Sequence, residues 1–226
     1  MQGKLYIVST PIGNLKDITI RAIEILNEVD FILCEDTRVT SILLKHYHII
    51  KQLTSFNAFS EIKKIPSIIE RLISGQSYAL VSDAGTPAIS DPGVRLISEA
   101  IKTGIQVITI PGATALIAAL TISGLPTDSF VFEGFIPQKK GRQKKLKELS
   151  EEKRTIVLYE SSHRIIKLID ELIEYFPERY IVVCRELTKK FEETWRGYPI
   201  ELKEKLVEKI VKGEFVVVIA PIEWKH

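Results

Sequence analysis

The chain has 226 residues, of which 45% are hydrophobic and 27% are charged, and its formal net charge is +2. This composition is typical of a globular protein that buries a real core in one large domain or two ordinary ones. It excludes a membrane-spanning chain, because no apolar run reaches the roughly 18 residues that a span needs. The N-terminus enters a strand without the layout of a signal peptide, so we expect a cytoplasmic protein.

Strand and helix patterns alternate through the first half of the chain. Short apolar runs end near Val8, Cys34 and Ile110, and amphipathic stretches follow them. Such alternation predicts the α/β class, with a parallel sheet and helices on both faces. Asp17 or Thr19 is expected to open the first helix, and Pro66 to interrupt another near its start. The predicted strands of this half are residues 4–8, 31–34, 53–56, 78–81 and 105–110.

A second half begins after the break at residues 124–128, and we predict two αβα domains, 1–114 and 115–226. Mixed strand order is expected in the second domain. If the polar ends of the strands share one rim, the two halves face each other across a crevice, which is a common kind of ligand site. The predicted strands here are residues 130–135, 155–159, 180–184 and 215–220, and the predicted helices are 139–149, 165–175 and 200–211.

One long loop stands out, and we call residues 81–93 the central loop. It contains two glycines, two prolines and two aspartates, and it exceeds the about 2–6 residues of an ordinary connector. Its glycines can adopt positive φ, and its prolines stiffen the path. Asp83 lies just past a strand end, where open parallel sheets bind ligands. Asp91 belongs either to such a site or only to the cap of the next helix.

Residues 139–147, the basic stretch, contain six cations among nine residues. A solvated helix face and a patch that binds nucleic-acid phosphates both fit this pattern. Lys139, Lys140, Arg142, Lys144 and Lys145 are the candidate phosphate contacts.

Several other kinds of site lack their motifs. Neither a G-x-G-x-x-G turn nor a Walker A sequence follows any predicted strand, which removes most support for dinucleotide and P-loop sites. Cys34 and Cys184 lie in apolar runs, so we expect buried thiols. His46 and His48 have no partner cluster, and we predict no metal site. No G-x-S-x-G elbow accompanies the Ser161–His163 run.

Six motifs then occur in order: Ser9–Leu15, Glu35–Arg38, Ser82–Gly93, Ser123–Pro126, Phe132–Phe135 and Arg185–Lys189. Together they resemble the ribosomal RNA small-subunit methyltransferases of the tetrapyrrole-methylase-like class, from about residue 4 to residue 219. The resemblance implies 2′-O-methylation of a 16S rRNA cytidine and a homodimer of two αβα domains, with S-adenosylmethionine in the cleft between them. The chain departs from the family at Ser55–Glu61, where a stretch with His and Asn is usual, and at Ser162, where proline is usual.

The resemblance also implies roles for particular residues. A general base is expected among Asp36, Glu160, Glu186 and Lys189; the lysine would need a depressed pKa, which neighbouring Arg185 could provide. Arg38, His163 and Arg164 suit phosphate or substrate contact. The implied cofactor contacts are Pro11, Gly13, Asp83, Ala84, Gly85, Thr86, Pro87, Ile89, Ser90, Asp91, Gly112, Ala113, Thr114, Leu158, Tyr159 and Arg185.

Plainer interpretations remain open beside these roles. Glu160 with Arg164 fits a local ion pair at a helix start, and the residues around Glu186 and Lys189 fit a surface ion-pair network. Two other functions also stay open: a methyltransferase of the same fold that acts on a small tetrapyrrole or a protein, and a module that binds RNA or a ligand without catalysis.

Overall fold

The computed structural model describes residues 2–207 and 212–225. Backbone contacts divide the chain into two units, residues 1–114 and 115–226. Each unit contains a five-stranded sheet with helices packed on it. The α/β class that the alternating patterns predict is confirmed.

The first unit has a fully parallel sheet in the order β3-β2-β4-β1-β5. Parallel pairing requires a crossover between successive strands, and the alternating helices provide it. All strands therefore point their carboxyl ends to the same edge. The strands are β1 (Lys4–Val8), β2 (Phe31–Cys34), β3 (Gln52–Ser55), β4 (Tyr78–Leu80) and β5 (Gln106–Ile110).

Helices cover both faces of this sheet: α1 (Ile20–Glu28), α2 (Thr37–His46), α3 (Glu61–Ile73) and α4 (Val94–Lys102). Leu26 of α1 and Leu44 of α2 belong to one buried cluster. Ile69 of α3 and Leu96 of α4 belong to a second cluster. The two clusters contain different residues of the same strands, because successive side chains of a strand point to opposite faces.

Local sequence explains the helix boundaries. Thr19 caps α1, since its side chain accepts a hydrogen bond from the Ala22 N–H at 3.1 Å. Gly104 follows α4 with φ +75° and bonds Ile101 O through its N–H, as expected for a glycine at a helix end. The interruption predicted at Pro66 is wrong, because α3 runs through it close to its N-terminal end.

The second unit has a mixed sheet in the order β6-β7-β10-β8-β9. Only β6 and β7 pair in parallel, so the prediction of mixed order is confirmed. The elements are α5 (Ala115–Ser123), β6 (Phe130–Phe135), α6 (Arg142–Ser150), β7 (Thr155–Ser161), α7 (Ile165–Tyr175), β8 (Ile181–Arg185), β9 (Glu193–Gly197), α8 (Pro199–Val207) and β10 (Glu214–Ile219).

Sequence patterns missed β9, whose residues mix charges with one aromatic side chain and show no apolar run. Helix α8 begins at Pro199, near the predicted start, and residues 208–211 of the prediction lie outside the described residues. The main core of this unit joins α6, α7 and α8 to the sheet through residues such as Leu146, Leu172 and Leu202. Cys34 and Cys184 are both buried free thiols, as predicted.

Candidate functional site

The carboxyl edge of the first sheet contains a topological switch point. The chain leaves β1 toward β2, past β4, and leaves β4 toward β5, past β1. Because these two connections run in opposite directions, a crevice opens between neighbouring strands β1 and β4, which is where open α/β sheets bind ligands. The segment Ser9–Leu15 and the central loop border this crevice.

A two-residue bridge ties these segments together. The Thr10 N–H donates to Gly85 O at 2.9 Å, and the Gly85 N–H donates back to Thr10 O at 3.2 Å. The Thr10 hydroxyl adds a bond to Ser82 O at 3.1 Å. Gly85 has φ +87°, and a Cβ there would lie 3.2 Å from Ile12 Cγ2. Glycine therefore lets the loop turn close to the first segment.

The segment after β5 joins the same assembly. Thr86 donates to Ala113 O at 3.2 Å, and its hydroxyl also lies 2.9 Å from the Ser9 hydroxyl. A Cβ on Gly112 would lie 2.9 Å from the Ser9 Cβ, which a side chain could reach only by displacing Ser9. Three of the segments predicted to contact a cofactor are thus held together in one unit.

The second half of the central loop is strained. Ala88 and Ser90 have φ of +66° and +62°, a region that costs non-glycine residues energy and is common at ligand sites. Gly93, not Asp91, occupies the N-cap position of α4, and no side chain caps that helix. The interpretation of Asp91 as only a helix cap is therefore wrong.

Acidic side chains collect at this edge. Asp83 Oδ1 accepts the Asp36 N–H at 3.0 Å. Burial raises the pKa of Asp83, and the Asp36 charge adds to the rise. Burial, with the charges of Asp83 and Asp36, also raises the pKa of Glu35. Carboxylates with raised pKa values favour a cationic ligand, which would relieve their repulsion.

Asp36 behaves differently because Arg38 pairs with it. The Arg38 guanidinium and backbone N–H both donate to its carboxylate, and these bonds lower the pKa of Asp36 to about 2. A carboxylate with so low a pKa is a weak base at neutral pH. Arg38 is itself largely exposed, and Asp36 fixes its orientation.

Asp91 makes the stability of the protein depend on pH. Burial, then the charges of Glu35 and Asp83, raise its pKa from 3.8 to about 6. Between these values the folded chain holds a proton that the unfolded chain has lost. The stabilisation is therefore complete below about pH 4 and is lost as the pH rises through about 6.

Asp91→Asn should raise the melting temperature at pH 8 by about 2–4 °C and leave it unchanged at pH 4. The amide removes the cost of a charged group, which we put at about 1 kcal/mol after discounting for partial exposure. Thermal unfolding of both proteins from pH 4 to pH 8 measures this difference. An equal gap at all pH values would contradict the role of the Asp91 charge.

The second unit buries an ion network around Glu160. Its side chain is fully buried; Oε1 accepts a hydrogen bond from the Ser161 N–H at 2.8 Å and forms an ion pair with Arg164 Nε at 2.7 Å. Arg142 lies 3.7 Å from Oε2. Glu160 and Arg164 thus form the predicted local ion pair, at the start of α7. A carboxylate held in this way positions neighbouring groups better than it abstracts protons.

The basic stretch divides into free and engaged cations. Arg142 is 3% exposed, and its Nε and Nη2 hold the Glu171 carboxylate at 2.6–2.9 Å. Lys145 pairs with Glu133 and Glu148. The prediction that Arg142 contacts RNA is therefore wrong, because its guanidinium is buried and paired with Glu171. Lys139, Lys140 and Lys144 remain exposed.

Lys189 forms the centre of a second ion cluster. Its ammonium donates to Glu186 at 2.8 Å and to Glu214 at 2.9 Å. Burial alone would lower the pKa of Lys189, but the two carboxylates outweigh it and raise the pKa. Lys189 therefore lacks the depressed pKa that a lysine base would need. Arg185 is engaged elsewhere, since it donates to Glu193 and to Lys212 O.

Glu186 is a poor free base for the same reason. Burial acts to raise its pKa, but the bonds from Lys189 and from the Glu214 N–H prevail and lower it. Gly213 packs on this carboxylate so closely that a Cβ would lie 2.6 Å from Glu186 Cγ. The interpretation as an ion-pair network is borne out by these contacts.

Two further predicted cofactor contacts lie on β7. The Leu158 side chain is fully buried in the core, so only its backbone could meet a ligand, and its predicted cofactor contact stays a prediction. Tyr159 lies between Phe132 and Phe135, with ring centroids at 4.9 and 5.7 Å. Its hydroxyl accepts the Leu116 N–H at 3.1 Å.

The other predicted residues fall at exposed or partly exposed strand ends, except for Pro11, Gly85 and Pro87, which are buried. Glu35 was not among the predicted site residues, although it directly follows β2 beside Asp36. Its position after a strand end was the available signal. Among the described residues, no group of His, Cys, Asp and Glu is arranged to hold a metal ion. Nor does any described helix have the length and apolar character to cross a membrane.

Comparisons with known proteins agree with this architecture. A family model for tetrapyrrole (corrin/porphyrin) methylases matches residues 4–202. The chain is 48% identical over 219 residues to the ribosomal RNA small subunit methyltransferase I of Halalkalibacterium halodurans, covering 96% of this chain and 76% of that protein. It is 46% identical over 218 residues to the protein of that name from Thermotoga maritima, covering 96% and 98%.

Solved structures show the same fold at lower identity. Diphthine synthase aligns with a TM-score of 0.75 and 18% identity, over 96% of this chain and 90% of that one. A uroporphyrin-III C-methyltransferase from Thermus thermophilus, complexed with S-adenosyl homocysteine, aligns with a TM-score of 0.67 and 17% identity, over 96% and 97%.

Proposed function

The chain belongs to the tetrapyrrole (corrin/porphyrin) methylase family, and we propose that it transfers the methyl group of S-adenosylmethionine to the 2′-hydroxyl of a cytidine in 16S ribosomal RNA. The observation that carries the choice of substrate is the 46–49% identity, over 96% of the chain, to relatives named ribosomal RNA small subunit methyltransferase I. The resemblance of six ordered motifs supports the same choice.

The residues at the switch point fit the proposed methyl donor. S-adenosylmethionine carries two positive groups, a sulfonium and an ammonium, against one carboxylate. The carboxylates of Asp83, Glu35 and Asp91 supply negative charge. Burial and mutual repulsion raise their pKa values. A cation among them relieves that repulsion. Glycine at position 85 lets the loop turn close to Ile12, which keeps the loop backbone at the border of the crevice.

S-adenosylmethionine supplies an electrophilic methyl group, so the protein contributes mainly position. The bridge between Thr10 and Gly85 fixes the two segments that border the crevice. Asp83 would hold the ammonium, while exposed backbone of the loop would meet the ribose and the carboxylate. Rigid placement of both reactants supplies much of the rate of an in-line displacement.

The ion clusters determine which of the candidate residues can act on the ribose hydroxyl. Asp36 is a weak base because Arg38 binds its carboxylate, and Glu160 is buried out of reach of a ribose hydroxyl. Lys189 and Glu186 form one hydrogen-bonded unit, with the proton on the lysine. We assign this pair the task of orienting the hydroxyl, since it offers a carboxylate acceptor beside a cation.

The homodimer and the cytoplasmic location are part of the same proposal. Both rest on the family resemblance, and action on the small ribosomal subunit would require access to ribosomes. The exposed lysines of the basic stretch, Lys139, Lys140 and Lys144, would attract the RNA backbone.

The decisive experiment supplies labelled S-adenosylmethionine and small ribosomal subunits that lack the modification. We expect one methylated cytidine, which nuclease digestion and mass spectrometry would place on the ribose. Methyl on the base would contradict the 2′-O assignment. Tight binding of the methyl donor without transfer to subunits or free 16S rRNA would overturn the RNA substrate, in favour of a small-molecule or protein acceptor, or of binding without catalysis.

A further inference from the structure

A half-exposed aromatic ring lies at the carboxyl end of β6. Phe135 is 51% exposed, although large apolar side chains are usually covered. The edge-on contact with Tyr159 braces one part of its ring. The Arg164 guanidinium carbon lies 5.7 Å from the ring centroid, within the range of a cation–π contact.

The guanidinium is held in place from inside the protein. The Arg164 Nε–H donates to the Ser161 hydroxyl at 3.2 Å, and Nε lies 2.7 Å from Glu160 Oε1 in an ion pair. The two terminal nitrogens of Arg164 have no hydrogen-bond partner among residues 2–207 and 212–225. Nε thus anchors the guanidinium, while its two terminal nitrogens remain available to a ligand.

Burying the Glu160 carboxylate, which anchors Arg164, costs free energy. A fully buried carboxylate is destabilising unless it is paired. Glu160 Oε2 has no hydrogen-bond partner in the described structure and only the more distant charge of Arg142 beside it. The ion pair with Arg164 offsets part of this cost. This ion pair gives the Arg164 guanidinium a defined orientation over the exposed Phe135 ring.

We propose that Phe135 and Arg164 form a stacking platform for one unpaired nucleobase of the RNA, and that Glu160 is the residue that positions the guanidinium. This inference rests on the proposed function. Single-stranded RNA is recognised largely by stacking of splayed bases on aromatic rings and arginine planes. A platform for a neighbouring base would hold the strand open while its ribose is presented for methyl transfer.

The test compares variants that remove a planar side chain with variants that keep the plane or the charge. Phe135→Leu and Arg164→Lys should each raise KM for small ribosomal subunits about tenfold, the loss of one stacked base. Phe135→Tyr should keep the wild-type KM because it keeps the ring. Glu160→Gln should raise KM in the same way as Arg164→Lys. The affinity for S-adenosylmethionine, measured by calorimetry, should not change in Phe135→Leu.

Phe191→Leu is the matched control. Phe191 is 62% exposed and lies under Lys190 at 5.6 Å, but within residues 2–207 and 212–225 no buried carboxylate pairs with that cation. Its KM should stay at the wild-type value.

The outcomes separate the two proposals. A wild-type protein that methylates subunits, with Phe135→Leu and Arg164→Lys unchanged, overturns the platform alone. Full activity of Arg164→Lys with loss in Arg164→Gln would show a simple phosphate contact and also overturn it. A wild-type protein that neither binds nor methylates ribosomal RNA overturns the proposed function and the platform together.

Discussion

We expect Asp83→Ala to lower kcat/KM for methyl transfer on the order of 10²-fold or more, through loss of S-adenosylmethionine binding. The substitution removes two things at once. It removes the carboxylate proposed to hold the ammonium, and a hydrogen bond to a charged group contributes about 1.5–3 kcal/mol. It also removes the acceptor of the Asp36 N–H, which ties the central loop to the start of α2.

Asp83→Asn separates these two contributions. The amide oxygen can still accept the Asp36 N–H, so the loop should keep its place, but the negative charge is gone. We expect Asp83→Asn to have a melting temperature no lower than that of the wild type, since it removes a carboxylate whose pKa burial raises, and still to bind S-adenosylmethionine weakly, as calorimetry would show. Wild-type affinity in Asp83→Asn would mean that the charge of Asp83 has no part in binding the donor.

Arg142→Ala should destabilise the second unit by about 3–5 kcal/mol, the usual cost of removing one partner of a buried ion pair. Arg142 holds the Glu171 carboxylate through two nitrogens, lies near Glu160, and donates to Pro137 O. Its removal leaves Glu160, which is fully buried, with only Arg164 as counter-charge. Calorimetry should show a fall in melting temperature of about 10 °C or more.

Lys144→Ala is the control from the same stretch. Lys144 is exposed on α6, and surface substitutions usually change stability by less than about 0.5 kcal/mol. We expect this variant to keep the melting temperature and to lower the salt dependence of subunit binding. The reverse pattern, with Arg142→Ala stable and weak only in RNA binding, would contradict the structural role of Arg142.

Local patterns were enough to predict much of the fold. The run that ends at Val8 and the run that ends at Ile110 both became parallel strands with helices after them, because period and turn chemistry are local properties. The same reasoning failed for β9, where pairing to β8 alone makes a charged segment extended. It also failed at Pro66, since tertiary packing of α3 outweighs the propensity of one residue.

The candidate site likewise has features that could be predicted from the sequence and features that depend on the fold. Composition and order along the chain were enough to predict that Ser9–Leu15, the central loop and Gly112–Thr114 are polar segments at strand ends. The bridge between Thr10 and Gly85 depends on strand order, since β1 and β4 are neighbours only in the folded sheet. No linear pattern contains that information.

The state of each charge was decided only by the tertiary structure. Arg142 and Lys144 are equivalent cations in the sequence, yet one is buried against Glu171 and the other is exposed. Lys189 was one candidate base, which would need a depressed pKa, yet Glu186 and Glu214 raise its pKa in the folded chain. A pKa depends on burial and on charges within a few ångströms, and folding alone sets both.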